Sequence, residues 1–337
     1  MKKLSLLFLL ISTIVYSQKF KIDTLLTDKI SIRAIQLWDG KVWYAGTDSK
    51  FGFVKMNDKA DEKQILLSDK KLQFRTLAQD ETDFYAINIE SPAYFFKIDK
   101  KALGSEIFHT DSAKTAFYDS FIIQSKNLGI AISDPNEDGF PRYFNFDNHK
   151  NYEVLDYPKY DKGEAHFAAS NTNIAMNKGV VWIATGGTKA RIFRFSWNYP
   201  LHWEVFDTPF VQGTSSQGIY SIDFYDKNFG IAVGGDYTKQ ADNINNIAIT
   251  NDGGQTWQIQ ASGKNAGYMT SVKFRPETKG KEIVAVGDQH ISFSSDYGKT
   301  WAKIAGEKNL YTCEWADKNT LILAGKDKII RLKFSDK

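Results

Sequence analysis

Seven polar side chains stand where their types and spacing could do chemistry together. Arg33, Arg75 and Asp119 occupy one slot at the start of three recurring apolar segments. Glu164 and His166 fall at the same level of a fourth, and Asp236 and Tyr237 follow the apolar run of a fifth. Two guanidinium groups among such partners would grip a polar or anionic ligand, because arginine presents paired N–H donors to a carboxylate or phosphate. The same charges could instead bridge neighbouring segments, and at this level both readings stand. A second candidate is 134–139, which reads D-x-N-x-D-G, the first half of a calcium loop, with Asp134, Asn136 and Asp138 as oxygen ligands. A full loop would place glutamate at the twelfth position, where Asn145 stands, so an Asp- and Gly-rich turn competes with the metal reading. Calcium is the one cofactor the residues suggest. The spacings CxxC, HExxH, GxSxG and GxGxxG are absent, and the five histidines are scattered.

Two octads 44 residues apart (252 to 296) hold the other conspicuous carboxylates. The first is TNDGGQTW at 250–257, with Thr250, Asp252, Gly254, Thr256 and Trp257 fixed; the second is SSDYGKTW at 294–301, with Ser294, Asp296, Gly298, Thr300 and Trp301. They resemble the Asp-box, or BNR repeat, of sialidases and other propellers. Their chemistry is that of a turn: the carboxylate accepts backbone N–H groups, glycine permits positive φ, and tryptophan opens the next strand. Asp252 and Asp296 therefore read as staples rather than as catalytic acids.

A recurrence of this period requires a repeat architecture. Short, nearly continuous apolar runs ending in Gly, Asn or Ser recur at 42–46, 84–88, 129–133, 182–186, 230–234, 283–287 and 321–325, as expected of strands buried on both faces. The segment ahead of each run carries a small residue at its third position: Ala34, Thr76, Ser120, Ala168, Ser221, Ser271 and Thr312. Strands converging on an axis leave room only for small side chains there. The expectation is an all-β, seven-bladed propeller with repeats starting near 31, 72, 116, 163, 218, 267 and 309. The last repeat lacks a fourth strand, which alternating residues 20–26 can supply to close the ring.

Residues 1–17 read as a signal peptide: Lys2 and Lys3, then an apolar run at 4–15, then Ser17. The remainder, 18–337, reads as one domain, exported to a periplasm or beyond the cell, with no later span of membrane length. Cys313 is the single cysteine, so no intramolecular disulfide forms. The formal charge of +3 falls to +1 without Lys2 and Lys3, which gives no footprint for nucleic acid.

The chain resembles exported BNR-like propellers related to the photosystem II stability and assembly factor family. The resemblance is carried by GEAHFAAS at 163–170, WIATGG at 182–187, GIAVGGDY at 230–237 and the two octads. Bacterial relatives of that kind often bear the label oxidoreductase or glycosyl hydrolase. It implies an exported, non-enzymatic binding or assembly scaffold, monomeric, with a cell-envelope protein or a glycan as partner. The alternative is a sialidase-like glycoside hydrolase, which needs three arginines on one carboxylate. Only Arg33 and Arg75 fall at matching positions.

Overall fold

The structure, a computed structural model, describes residues 20–125, 128–146, 157–197 and 199–335. The expected signal peptide at 1–17 lies outside them. Every regular element described is a strand. The apolar runs form the strand second from the axis, as in Lys41–Gly46, Asp83–Ile87 and Ile283–Gly287, whose interiors are buried throughout. With neighbours on both faces, such strands need no alternation of polar and apolar residues.

The described strands gather into six hydrogen-bonded sheets, which corrects the expected seven. Three carry four strands each: Ala78–Gln79 to Ser105–Asp111, Ile174–Asn177 to Tyr199–Asp207, and Ser271–Phe274 to Ala302–Ala305. A fourth has Tyr118–Ser125, Leu128–Pro135 and Pro141–Phe146. A fifth runs from Gln217–Phe224 to Gln258–Ile259 and takes up the two short strands Glu164–Ala165 and Gly186–Gly187. The sixth is the reason for the count. Phe20–Trp38 has 19 residues and Thr320–Phe334 has 15, long enough to run through both the first and the last repeat. The outer half of Phe20–Trp38 pairs antiparallel with Thr320–Phe334, from Phe20 opposite Phe334 to Thr27 opposite Lys328. Its inner half pairs with Lys41–Gly46, so what the repeats suggested as two blades is one continuous sheet of six strands.

Successive repeats are joined by apolar clusters as well as by single backbone bonds, such as Phe74 N–H to the Gly46 carbonyl (3.1 Å) and Met269 N–H to the Gly234 carbonyl (3.0 Å). Trp43, Phe51 and Phe84 meet between the first and second, their rings 4.6–5.7 Å apart. Trp182 stacks on Phe224 at 3.8 Å between the fourth and fifth. Aromatic pairs at these distances add about 1 kcal/mol each beyond area burial.

The fourth repeat departs from the reading of its sequence. Residues 166–169 do not form its inner strand; Ile174–Asn177 does, paired with Val180–Ala184 across the Lys178–Gly179 turn, where both φ angles are positive. The displaced stretch 168–173 crosses the axis instead and plugs the channel. Its groups bond to inner strands all round the ring. Arg33 donates to the Ala169 carbonyl (3.0 Å), and Asn171 Nδ2 donates to the carbonyls of Leu77 (3.1 Å) and Phe121 (3.3 Å). Ser170 Oγ donates to the Thr270 carbonyl (2.6 Å), and Thr312 Oγ1 to the Ser170 carbonyl (3.2 Å). A backbone segment without a ladder must find such partners when it is buried.

The two octads form matching turns. Asp252 Oδ1 accepts Thr250 Oγ1 (2.8 Å) and the Thr256 N–H (2.9 Å), and its Oδ2 accepts Thr256 Oγ1 (2.6 Å). Asp296 repeats the pattern with Ser294 (2.9 Å) and Thr300 (2.9 and 2.6 Å). Trp257 and Trp301 each donate their indole N–H back to the turn, to Gly254 O at 3.0 Å and Gly298 O at 2.9 Å. Gly254 (φ 88°) and Gly298 (φ 81°) are required twice over, by φ and because a Cβ would come within 3.2 Å of Trp182 and 3.1 Å of Ile231 respectively. The first turn also ties two repeats together: the Gly253 carbonyl accepts Trp182 Nε1 (2.8 Å) and Arg194 Nη1 (2.7 Å).

Candidate functional site: the arginine mouth of the channel

One residue of irregularity, repeated, builds the mouth. In Phe20–Trp38 the register slips between Ile32 and Ala34, leaving Arg33 as an extra, unpaired residue. The same slip singles out Asp119 in Tyr118–Ser125, Tyr220 in Gln217–Phe224 and Tyr311 in Leu310–Asp317. A β-bulge re-aims the side chain it carries, and here each bulge lies at the start of an inner strand. Arg75 occupies the same slot, between the isolated bridge of Phe74 with Asn88 and the strand Ala78–Gln79. Each is followed by one of the small residues picked out in the sequence. That column therefore marks a recurring bulge as well as a crowded axis.

The two arginines lack a direct ion pair; Glu90 and Asp119 attract Arg75, and Asp288 attracts Arg33, only from longer range. The chain has seven arginines. Five hold a carboxylate: Arg142 with Asp111, Arg191 with Glu164, Arg194 with Glu204, Arg275 with Glu282 and Arg331 with Asp23, at 2.5–2.9 Å. Among the described residues, Arg33 and Arg75 have no carboxylate within ion-pair distance. Arg33 lies 4.0 Å over the Tyr311 ring, and Arg75 has one weak bond, to the Ala168 carbonyl at 3.4 Å. Burial and the neighbouring Arg33 both lower the pKa of Arg75. Two half-buried like charges side by side disfavour each other, and an anion between them would relieve both.

Tyrosines line the same end. Tyr220 stacks on Phe167 with ring centres 3.9 Å apart and planes 6° apart, and Tyr268 meets Tyr220 edge-on at 4.8 Å. Tyr237 is half exposed at the rim. Beneath lies Asp119, with no exposed surface and neither carboxylate oxygen hydrogen-bonded; the Ala168 N–H eases it only from outside bonding geometry. Burial, and then the Asp134 charge, push its pKa well above the ordinary value, against the pull of Arg75.

The remaining candidates are engaged elsewhere, so the expected group does not line a single cavity. Glu164 is buried and used up: Arg191 donates to it twice (3.0 and 2.5 Å), Thr185 Oγ1 once (2.6 Å) and the Asp161 N–H once (2.9 Å). His166 is interior. Its Nδ1–H donates to the Ala184 carbonyl (3.2 Å), so Nε2 accepts from the Tyr160 hydroxyl (2.9 Å), which in turn accepts from Tyr143 (2.9 Å). Burial lowers its pKa to about 4. Asp236 closes its own turn by accepting the Thr238 N–H (2.9 Å) and hydroxyl (2.6 Å). Of the half calcium loop, Asn136 Oδ1 accepts the N–H groups of Asp138 and Phe140 (both 3.0 Å), and Asp134 turns away to accept the His166 N–H (2.9 Å). Among the described residues no three His, Cys, Asp or Glu side chains are grouped so as to hold a metal ion.

Tyr220, Tyr268, Tyr311 and Phe167 are absent from the sequence-level site. The available signal was position: Tyr220 and Tyr311 stand one residue before Ser221 and Thr312, in the slot that Arg33 fills before Ala34.

Beside the mouth, an open groove of about 600 Å³ runs along the residues leading into the two arginines, with Lys29, Lys71 and Lys326 among those that line it.

No known family pattern and no curated protein matches this chain. Solved structures do match. "YCF48 bound to D1 peptide" aligns with a TM-score of 0.64 at 12% identity, over 94% of this chain and 97% of that one. "Crystal structure of RRP9 WD40 repeats" aligns at 0.64 and 9% identity, covering 93% and 97%. "Structure of U3-55K" gives 0.61 and 11%, covering 93% and 98%. The chain is thus an all-β propeller, and at these identities the likeness concerns the fold alone. No helix among the described residues is long and apolar enough to cross a membrane.

Proposed function

We propose that this protein is an exported, non-enzymatic binding scaffold whose docking face is the arginine mouth, and that it takes an anionic segment of a partner protein. The observation that carries this is the pair Arg33 and Arg75, left without carboxylates in a chain whose other arginines all have one. The adjoining tyrosines supply large, rigid contact area of the kind that dominates protein interfaces. The neighbouring groove sets Lys29, Lys71 and Lys326 against Asp48 and Asp327, which adds one net positive charge to the same face. Likeness in fold to a propeller solved with a bound peptide and to WD40 repeats supports a protein as the partner class. The apolar run at 4–15 supports export, and the two matching turns support membership among Asp-box propellers. The hydrolase alternative wants three arginines converging on one carboxylate, and the other five are each committed elsewhere.

The test is fluorescence anisotropy with length-matched acidic, neutral and basic peptides. The acidic peptide binds best, weakens as salt is raised, and loses at least about tenfold in affinity in Arg75→Ala and in Arg33→Ala, since each removes a charge-assisted contact. Equal binding of the three peptides, or acidic-peptide binding that survives both substitutions, sinks the proposal.

A further inference from the structure

The same five-residue pattern leads into both arginines of the mouth: KISIR at 29–33 and KLQFR at 71–75. Side chains of an extended segment point alternately to opposite faces. Ile30 and Ile32 are buried in the first segment; in the second, Phe74 is buried and Leu72 packs against the same apolar cluster. The other face of each segment is then polar. It carries Lys29, Ser31 and Arg33 in one track, and Lys71, Gln73 and Arg75 in the other. Both lysines are exposed, and both middle residues are half-buried.

The two tracks flank one groove. The end of the strand Lys41–Gly46 and the turn after it lie between them and are bonded to both. Thr47 Oγ1 accepts the Ser31 N–H (3.0 Å) on one side. On the other, the Leu72 carbonyl accepts the Ser49 N–H (2.9 Å) and the Gly46 carbonyl accepts the Phe74 N–H (3.1 Å). Lys29, Ser31, Lys71 and Gln73 all line the open groove of about 600 Å³ beside the mouth. Each lysine precedes its arginine by four positions, about 13 Å along an extended strand. An extended peptide repeats the same distance between its own residues i and i+4, which also point to one side.

Charge argues for spaced acids rather than a continuous polyanion. Lys326 also borders the groove, and among the described residues none of its lysines has a carboxylate within ion-pair distance. Asp48 and Asp327 stand among them, and Asp327 Oδ1 accepts only the Ile30 N–H (3.2 Å). An unbroken run of negative charge would meet these two carboxylates, whereas single acids placed at the two ends of the tracks would not. Halfway along, the Ser31 hydroxyl and the Gln73 amide have no hydrogen-bond partner among the described residues, so both are open to a polar side chain.

We propose that the partner segment is an extended peptide with acidic side chains at i and i+4, the first held by Arg33 and Arg75 and the second by Lys29 and Lys71, with a polar residue at i+2 against Ser31 and Gln73. This rests on the mouth being the docking face, and adds to it the length, direction and spacing of what docks.

Fluorescence anisotropy on the full chain tests it with Ser/Gly peptides of about nine residues, blocked at both ends. One peptide carries a single Asp, and three carry two Asp residues at i, i+3, at i, i+4 and at i, i+5. The i, i+4 peptide binds at least about fivefold tighter than the single-acid peptide, and by a like factor tighter than the two of equal charge, the gain of one or two exposed ion pairs. Lys29→Ala combined with Lys71→Ala brings it down to the level of the single-acid peptide; both side chains are exposed, so the fold is kept. Equal affinity for the i, i+3 and i, i+4 peptides is the behaviour of a surface that reads net charge alone and would take a sulfated glycan as well, and it overturns the proposal. An i, i+4 advantage that survives the double substitution overturns it too. In either case, binding that still depends on Arg75 leaves the mouth as the docking face, whereas binding of every peptide without regard to Arg75 ends both readings.

Discussion

Asp119 shows how much one residue's surroundings decide. In the sequence it stands in line with Arg33 and Arg75 and reads as a ligand contact or a bridge. In the fold it lies wholly buried with unbonded oxygens, and its pKa is raised. A folded-state pKa above the unfolded value means that the native state holds its proton longer. Stability contributed by the neutral form is then lost as pH rises from the ordinary carboxylate value of 3.8 towards the elevated one. Asp119→Asn keeps the shape and removes the titration. The variant should melt higher than the parent at neutral pH, and the gap should shrink towards zero near pH 4; thermal melts across that range check it. A gap that grows on acidification would mean that Asp119 is stabilised as the anion after all. The octad carboxylates behave in the opposite sense. Burial alone would raise Asp252 and Asp296, but bonds from Thr256 and Thr300 outweigh it and hold both pKa values low. Sequence could reveal that contrast only where the bonding partners are local: Thr250 and Thr256 sit in the octad with Asp252, whereas what surrounds Asp119 comes from distant segments.

Among the elements, the long strand Phe20–Trp38 has the largest consequence. Its first half completes the edge of Thr320–Phe334, with Asp23 accepting Arg331 twice (3.0 and 2.9 Å). Deleting residues up to 27 would expose the backbone groups of a strand that is otherwise covered, an invitation to pair with another chain. The truncated protein should melt at least about 10 °C lower, several kcal/mol for a domain of this size, and should self-associate on size-exclusion chromatography. A monomer with an unchanged melting temperature would show that the closing pairing contributes little. The need for a closing strand was legible, because the last repeat lacks a fourth strand and 20–26 alternates. The fusion of first and last repeats into one sheet was not, since strand continuity depends on hydrogen bonding between residues some 300 positions apart. Inner-strand bulges were likewise hidden: the small-residue column was visible, but a slip of register has no local signature.

For the whole molecule, the plug ties the ring together across its axis. Asn171 alone, at φ 62°, bonds to the carbonyls of Leu77 and Phe121 and accepts the Phe121 N–H at 2.8 Å, joining three repeats. Asn171→Ala would remove these three hydrogen bonds from the interior and should cost on the order of 2–3 kcal/mol. It should appear as a lower urea midpoint at unchanged slope. A midpoint within error of the parent would make the plug a passenger. By dividing the channel, the plug also leaves two distinct ends, where the sequence suggested one functional face.

What the residues determined by themselves was everything carried by short range. Apolar runs make buried strands, Gly and Asp make turns, and a period of about 44 residues makes an array of sheets. Tertiary structure decided what depends on convergence: six sheets instead of seven, His166 and Glu164 inside rather than at the mouth, Ile174–Asn177 as the inner strand, and two arginines without carboxylates. The reason is physical. A turn or a strand is chosen by interactions within a few residues, whereas a site in a ring is assembled from segments that meet only once the ring has closed.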